Sequence, residues 1–361
     1  MNHTTVAIDL AKNVFQLAVT DNTWQVLQTA RLTRAQFPKW FDNRKVDRVV
    51  MEACGTAHFW GRFFAARGIE VVLLPAASIR PYVQRNKTDA NDAIGMIEAF
   101  RGGKILPVRV KSIDQQALQG MHRIRSLWMG DRTARINTLR GLCREFGISI
   151  LVGSRTGLDN IGRVLAEPSS PIPDSIRNTM KMVLEEVRMI EARVHQLERE
   201  LTAAAKESTA CKLLLSIPGV GLLTATAMVA ATSGKVSHFK DGRHFASWIG
   251  LTPKENSSGN TRHLGRISKK GDRYLRMLLT HGSRSVLRSA VVALTRGDEP
   301  TGVRKWALNV QSRSNHNKAT CALANKIARI CYAVMRDGEP FGTPSPRPEK
   351  KLNQTAYAMA I

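Results

Sequence analysis

The stretch TVAIDLAKNVFQLAVTD, residues 5–21, decides the fold of the amino-terminal part of this chain. It holds two apolar runs separated by a polar turn, and the second run alternates as a half-buried strand does. Asp9 lies inside the first run, where a buried carboxylate is costly without a cation or a hydrogen-bonded partner. Taken alone, an aspartate near a strand end is more often a turn former. The stretch therefore predicts a hairpin that carries one candidate functional acid.

Three further acids follow this hairpin. Glu52 stands near the end of the apolar run DRVVMEACG and has no basic neighbour in the sequence. Asp89 and Asp92, in KTDANDA, lie three residues apart at the head of a predicted helix and so share one face, although a favourable helix-dipole interaction explains this pair equally well. Four converging carboxylates would repel one another unless a divalent ion neutralised them. Hard oxygen ligands favour Mg²⁺, with Mn²⁺ as an alternative.

The order of the elements around these acids gives the fold class. The patterns predict strands over 4–10, 13–20, 24–32, 47–53 and 69–74, and helices over 34–43, 57–67 and 89–101. Three hairpin-linked strands followed by alternating helices and strands predict an α/β domain with a mixed sheet and helices on its faces. This succession resembles the ribonuclease-H-like fold of Holliday-junction resolvases, in which acids at these positions hold the metal.

The charge of the chain indicates a polyanionic partner. Its 361 residues include 54 Lys and Arg against 29 Asp and Glu, a formal net charge of +25. So large an excess is typical of proteins that bind DNA or RNA. Membrane surfaces are also anionic, yet no apolar run has the length of a bilayer span and no signal-peptide pattern precedes Asp9, so we expect a cytoplasmic, nucleoid-associated protein. A noncatalytic nucleic-acid-binding protein would explain the charge but not two acids on core strands.

The cysteines indicate neither disulfides nor a zinc site. Their number is odd, and no two of them form a CxxC pair. Buried free thiols are therefore expected at Cys54, Cys143, Cys211, Cys321 and Cys331.

Two long helices are predicted in the middle of the chain. Residues 111–146 have a helical period and carry Arg123, Arg125, Arg132, Arg135, Arg140 and Arg144. These arginines form either a solvated face or a groove for a nucleic-acid backbone. Residues 153–173 contain SSPIP and predict a connector. The second helix starts at Asp174 and carries a heptad seam of Val183, Val187, Ile190, Val194, Leu197 and Leu201.

Such a seam requires a partner helix. The partner is either the Arg-rich helix of the same chain or a helix of another subunit. Either way, the two helices predict a coiled-coil stalk.

The third region begins with LLLSIPGVGLLTATAMVAAT, residues 213–232. A helix, a turn containing Gly219 and Gly221, and a second helix match the helix-hairpin-helix pattern, in which backbone N–H groups approach a phosphate; a packed helical hairpin is the alternative. Farther on, Ser257 and Ser258 precede Gly259 in a polar loop. A serine beside glycine is usually a turn residue, but a basic run follows and makes it a candidate nucleophile. That run contains Arg262, Arg266, Lys269, Lys270 and Arg273.

At these segments the chain resembles the DEDD transposases of the insertion-sequence 110/1111 family. Asp9, Glu52 and KTDANDA are similar to the acidic signature of that family, and GLTPKENSSGNTRHLGRISKKGDRYLR is similar to its carboxy-terminal signature. The resemblance covers about residues 4–295. It implies a mobile-element recombinase that works as a dimer or tetramer on donor and target double-stranded DNA, together with a structured noncoding guide RNA, the bridge RNA.

The resemblance also implies roles for individual residues. Asp9, Glu52, Asp89 and Asp92 match the metal-binding acids, and Ser258 matches the nucleophile that joins DNA, with Ser257 the less favoured neighbour. It further implies an active site shared between subunits. Arg123, Arg132, Arg135 and Arg140 of the stalk, with the two hairpin glycines and the basic run, are the expected nucleic-acid contacts.

The expected domains are a catalytic domain over 1–108, a stalk over 109–210, a mostly helical transposase domain over 211–300, and a final helix with a disordered tail over 301–361. A resolvase-like nuclease that uses the same acids with water as nucleophile is the alternative function. A tyrosine recombinase is disfavoured, because only four tyrosines exist and Tyr274 is interpreted as a packing residue.

Overall fold

The computed structural model describes residues 3–83 and 88–343. The chain divides into two compact units, Met1–Ala117 and Leu118–Ile361. The predicted disordered tail lies almost wholly outside the described residues. In the described part of the chain, no helix is long and apolar enough to cross a membrane. All five cysteines are free, as predicted; Cys143, Cys211 and Cys331 are also buried, whereas Cys54 and Cys321 are only partly buried.

The first unit is an α/β fold whose elements match the predicted ones to within three residues at each end. A short helix after the fifth strand was not predicted. The elements are β1 (Thr5–Leu10), β2 (Val14–Thr20), β3 (Val26–Thr33), α1 (Gln36–Trp40), β4 (Arg48–Glu52), α2 (Ala57–Ala65), β5 (Glu70–Leu74), α3 (Ala76–Ile79) and α4 (Asp89–Arg101).

The five strands form one mixed sheet in the order β3-β2-β1-β4-β5. The first three strands pair antiparallel, as hairpin-linked strands do, whereas β1–β4 and β4–β5 pair parallel. Parallel pairing needs a crossover connection, and α1 and α2 lie in the two crossovers. In the parallel pair of β1 with β4, Ile8 stands opposite Met51.

Both faces of this sheet are buried by helices. On one face, Val6, Ile8 and Met51 pack with an aromatic cluster from α1 and α2 that includes Phe37 and Trp60. On the other face, the strand residues that alternate with these, such as Ala7 and Val50, pack against α3 and α4. Since each face has its own core, the sheet is a central layer between two layers of helices.

The second unit is mostly helical and contains one small two-stranded sheet. Two of its helices exceed thirty residues, as the sequence predicted for the middle of the chain. The elements are α5 (Ile113–Glu145), of which residues 118–145 belong to this unit, α6 (Ser154–Ala166), α7 (Asp174–Glu207), α8 (Thr209–Leu215), α9 (Leu222–Thr232), α10 (Gly242–Ile249), β6 (Pro253–Glu255), β7 (Leu264–Ile267), α11 (Arg273–Thr295), α12 (Gly302–Ser312) and α13 (His316–Asp337).

Three ion pairs join α5 to α7 along their length. They are Arg125–Glu198 at 2.7 Å, Arg132–Glu191 at 2.6 Å and Arg135–Glu186 at 2.6 Å. The glutamate numbers fall as the arginine numbers rise, so the two helices run antiparallel. The heptad residues from Val187 to Leu201 are buried within the single chain. The Arg-rich helix of the same chain is therefore a partner of α7.

The prediction of an irregular connector over 153–173 was wrong in its first part. Residues 154–166 form α6, whose Leu158, Ile161 and Leu165 are buried in a core with α5 and α7. Their spacing of three and four is a helical period, which the glycine and proline residues around the segment obscured.

A larger core contains residues of all the helices α8–α13, so α12 and α13 pack with α8–α11. The turn between α8 and α9 is packed closely on α11. A Cβ placed on Gly282 would lie 1.9 Å from the carbonyl oxygen of Gly219, so glycine is required where the turn meets the helix. The turn is therefore packed on the protein at Gly219, and the helix-hairpin-helix interpretation stays a prediction.

Gly282→Ala is expected to destabilise the protein, because the added methyl group cannot fit without a backbone shift. We expect a loss of about 1–3 kcal/mol in the free energy of unfolding, measured by urea denaturation. Gly130→Ala is the matched control: this glycine also lies inside a helix, but nothing stands within 4 Å of the added methyl group. The control should gain up to about 1 kcal/mol from helix propensity. Equal effects of the two substitutions would contradict the close packing.

Candidate active site

Two of the predicted acids lie side by side at the carboxyl ends of adjacent parallel strands. The pairing of β1 with β4 sets Ile8 opposite Met51, and the next residues along the two strands are Asp9 and Glu52. Side chains alternate along a strand, so Asp9 shares a face with Ala7 and Glu52 shares a face with Val50. Ala7 and Val50 both pack in the core beneath α4. Both acids are therefore directed to the face of the sheet that α4 covers.

The other two acids lie in the first turn of α4. Thr88 caps this helix by accepting a hydrogen bond from the N–H of Asn91 at 3.2 Å. Asp89 lies one turn before Ala93, and Asp92 lies one turn before Met96. Both Ala93 and Met96 pack against the sheet. Side chains four residues apart lie on one side of a helix, so both acids continue the sheet-facing stripe of α4.

The first unit thus places Asp9 and Glu52 at the carboxyl ends of β1 and β4, and Asp89 and Asp92 on the helix that covers the same face of the sheet. Among the described residues, no three acids, histidines or cysteines stand close enough together to form a metal-binding cluster. The donors are nonetheless all carboxylates, which are the ligands that Mg²⁺ prefers. Their chemical type and shared face fit a hard divalent cation.

The candidate nucleophile lies in a β-hairpin, where the sequence indicated only a polar loop. Strands β6 and β7 pair antiparallel, with Glu255 opposite Leu264. At the tip, Ser258 and Thr261 exchange two backbone hydrogen bonds of 3.2 and 3.1 Å around Gly259, whose φ is +53°. A positive φ at the first central position is typical of a two-residue hairpin turn. Ser258 therefore begins a tight turn and is exposed.

Below the tip, three side chains of the hairpin are joined through one carboxylate. The Ser257 hydroxyl donates to Glu255 Oε1 at 2.8 Å, and Arg262 Nε donates to the same oxygen at 3.1 Å. The backbone N–H of His263 donates to Ser257 Oγ at 3.2 Å. These bonds lower the pKa of Glu255, the Ser257 hydroxyl contributing most. Sequence reasoning missed the role of Glu255, because its i, i+2 spacing from Ser257 is equally common in a plain strand.

The basic run following the serines is exposed and mostly free of acidic partners. Arg262 pairs with Glu255. Four further exposed cations form no ion pair with any described residue: Arg266, Lys269, Lys270 and Arg273. Exposed, uncompensated cations along the second strand and at the base of the hairpin are suited to contact a phosphate backbone. Their role as nucleic-acid contacts stays a prediction.

The arginines of α5 are placed differently. Arg132 and Arg135 pair with glutamates of α7, and Arg140 donates to the carbonyl oxygens of Leu151 and Gly153. These partners give the three arginines a structural role that requires no nucleic acid. Arg123 is exposed and has no ion pair within the described residues.

The two glycines predicted to approach a phosphate are also distinct in position. Gly219 packs against α11, as described above. Gly221 is exposed at the start of α9, and a Cβ placed there would meet nothing within 4 Å. Of these two glycines, Gly221 has room for a ligand and Gly219 does not. Phosphate binding at Gly221 stays a prediction.

A buried histidine ties α5 to the helix that follows the serine hairpin. His122 is 3% exposed, and its Nδ1 lies 3.1 Å from the hydroxyl of Tyr274 at the start of α11. Its Nε2 lies 3.0 Å from Thr226 Oγ1 in α9. Tyr274 is therefore more than the packing residue that the sequence suggested. No motif in the sequence marks His122.

The hydrogen-bond donors determine which ring nitrogen carries the proton. Thr226 donates its hydroxyl proton to the carbonyl oxygen of Leu222 at 2.7 Å, so Thr226 Oγ1 accepts from His122 Nε2–H. Nδ1 is then unprotonated and accepts from the Tyr274 hydroxyl. Burial, reinforced by the nearby Arg125 guanidinium, lowers the pKa of His122 to about 4. A neutral imidazole thus joins three helices of the second unit.

Two transposase family models and several transposase relatives match this chain. The model described as "Transposase IS116/IS110/IS902 family" matches residues 211–296, and a DEDD transposase model of the IS110 type matches residues 6–147. A Pseudomonas aeruginosa protein named "Probable family 20 transposase" is 38% identical over 93% of this chain and 97% of its own length. The transposase of insertion sequence element IS1111A from Coxiella burnetii is 35% identical over 93% of this chain and 90% of its own length.

A more distant relative has a different described activity. The pilin gene-inverting protein of Moraxella bovis is 23% identical over 94% of this chain and 98% of its own length. The matched segments include the strands that carry Asp9 and Glu52, the start of α4, and the serine hairpin with its basic run. The transposase relatives support a DNA-processing enzyme. The chain belongs to the IS110/IS1111 family of DEDD transposases, the transposases of that class of mobile elements.

The stability of the protein should depend on pH through His122. Its pKa in the fold, about 4, lies below the ordinary value of 6.5. Between these values the unfolded chain binds a proton that the folded chain does not, so stability should fall as pH falls from 6.5 to 4, by roughly 3 kcal/mol at most. His122→Gln should flatten this dependence in urea titrations at several pH values. His281→Gln, at an exposed histidine of α11, is the control and should retain it. An unchanged pH profile in His122→Gln would refute the assignment.

Proposed function

We propose that the protein is an RNA-guided recombinase of its mobile element, which cuts and rejoins DNA strands through a phosphoserine intermediate on Ser258. The observation that carries the catalytic part is the register that sets Asp9 beside Glu52 under α4. The guide-RNA part rests on the family resemblance, with the net charge of +25 in support. The homo-oligomeric state and the site shared between subunits rest on the same resemblance.

The metal part of the proposal assigns the four acids as ligands. The DEDD transposase family usually uses a divalent metal. Asp9, Glu52, Asp89 and Asp92 would hold Mg²⁺, or Mn²⁺ in its place. When bound, such an ion supplies polarisation of the scissile phosphate and stabilises negative charge on the leaving oxygen. The protein's own part would be to hold two carboxylates on the sheet and two on the helix that covers the same face.

The covalent step is assigned to the serine hairpin. Ser258 Oγ attacks the phosphorus atom, a bond forms between them, and the bond from phosphorus to the leaving deoxyribose oxygen breaks. The hydroxyl proton of the serine is released and the leaving oxygen takes up a proton. One phosphate ester replaces another, so the DNA can be rejoined by the reverse reaction without an external energy source. The cations that follow, such as Arg266 and Lys269, would hold the adjacent backbone.

The decisive experiment traps the intermediate. Purified protein, its copurified RNA and a DNA substrate with a phosphorothiolate at the cleavage site, which prevents rejoining, should give a protein–DNA adduct. Peptide mapping should place that adduct on Ser258. Ser258→Ala should form none, and strand cleavage should fall by at least about a thousandfold. Asp9→Asn should still bind DNA yet form no adduct.

Other outcomes would change the proposal. Full cleavage by Ser258→Ala would mean that water is the nucleophile, as in a resolvase-like nuclease. Adduct formation in EDTA at the rate seen without EDTA would show that the reaction needs no metal. Adduct formation that is unaffected by ribonuclease treatment of the preparation would contradict the role of a guide RNA.

A further inference from the structure

The two adjacent serines of the hairpin differ in what their hydroxyls do. Ser257 Oγ makes two hydrogen bonds, one to Glu255 and one from the N–H of His263. The Ser258 hydroxyl has no hydrogen-bond partner among the described residues, although its backbone is fixed by Thr261. One hydroxyl is therefore committed to the hairpin, and the other is free to react.

The bonds around Ser257 tie the two strands together at their loop end. The strands are only three and four residues long, and a hairpin of that length is marginal by itself. The Ser257 oxygen accepts from His263 across the hairpin, and its proton is directed to Glu255 on the same strand. Arg262, which lies after the turn, pairs with the same carboxylate oxygen of Glu255.

This arrangement cannot serve mainly as a source of stability. Glu255, Ser257 and Arg262 are all exposed, and exposed ion pairs contribute little to the free energy of folding. What the bonds restrict is the conformation of the residues that lead into the turn. A nucleophile must be held close to its attack geometry, and a displacement of about 1 Å can cost a hundredfold in rate.

We propose that Glu255 and Ser257, with Arg262 behind them, are positioning residues that fix the hairpin so that the Ser258 hydroxyl is presented to the phosphate. The proposal rests on the proposed function, in which Ser258 is the nucleophile. Neither Glu255 nor Ser257 reacts. In this assignment Ser257 Oγ holds the hairpin through Glu255 and His263, and Ser258 Oγ forms the bond to phosphorus.

The test is a double-mutant cycle on the rate of adduct formation, using the complete protein with its RNA and saturating phosphorothiolate DNA. Ser257→Ala and Glu255→Ala remove the same hydrogen bond, so each should slow the reaction at least about tenfold. The double variant should be no slower than the slower single variant, since coupled residues are not additive. The dissociation constant for DNA should change less than twofold. Ser257→Thr, which keeps the hydroxyl, should restore the rate to within about threefold of wild type.

Ser285→Ala is the matched control, because it removes an exposed serine hydroxyl of α11 that makes no hydrogen bond with the described residues. It should react at the wild-type rate. A second readout follows the hairpin directly: in Ser257→Ala, hydrogen exchange at the amide of His263 should accelerate, even if the variant binds DNA poorly.

Three results would overturn the proposal. Wild-type rates in Ser257→Ala would show that the arrangement does not position the nucleophile. Strictly multiplicative effects of the two substitutions would show that the residues act separately. A wild-type adduct that maps to Ser257 would make that serine the nucleophile, with Glu255 as its base. Failure of the proposed function itself is recognised separately, since wild-type protein would then form no adduct at either serine.

Discussion

The parallel pairing of β1 with β4 is the constraint on which the acidic site depends. A slip of one residue between these strands would turn every side chain of one strand to the opposite face. Asp9 or Glu52 would then enter the aromatic cluster around Phe37 and Trp60, where an ionised carboxylate has no compensation. Because both faces of the sheet are buried, two separate cores enforce the same register.

In the second unit, a packed helical core supports an exposed reactive loop. His122 joins α5 and α9 to the start of α11, and Arg276 of α11 donates to the carbonyl oxygens of Ile249 and Lys270 on either side of the hairpin. The hairpin is thus anchored at its base by buried or half-buried groups, while its tip is exposed. A catalytic group on a loop with a rigid base combines access to a large substrate with a defined position.

Much of this organisation could be predicted from local sequence patterns. Strands such as β1 and β4 have strong alternation or continuous apolar runs, and α4 begins and ends at the residues that were predicted, 89 and 101. The features that local patterns could not give are contacts between distant residues. The partners of Arg132 and Arg135 lie more than fifty residues away, and charge periodicity alone cannot distinguish a solvated arginine from a paired one.

The same limit applies to the turn at Gly219 and to the two serines. Gly219 matched a phosphate-binding pattern, but its position is explained by Gly282, a residue of a helix that starts fifty residues later. Ser257 and Ser258 are identical in type and adjacent, so only the hydrogen bonds of Glu255 and His263 separate them. The resemblance to a known family favoured Ser258, and the hydrogen bonds show that the two hydroxyls have different surroundings.

The central claim is that the acids beneath α4 form one divalent-cation site. Binding of Mn²⁺ by the complete protein, followed by electron paramagnetic resonance, tests it most directly. The titrations of Asp9→Asn and Glu52→Gln should each lack the same Mn²⁺ site, one that the wild-type protein has. Glu70→Gln, at an exposed acid that begins β5 at the amino ends of the parallel strands, should leave it intact. Loss of the site in all three variants, or in none, would contradict this account of the protein.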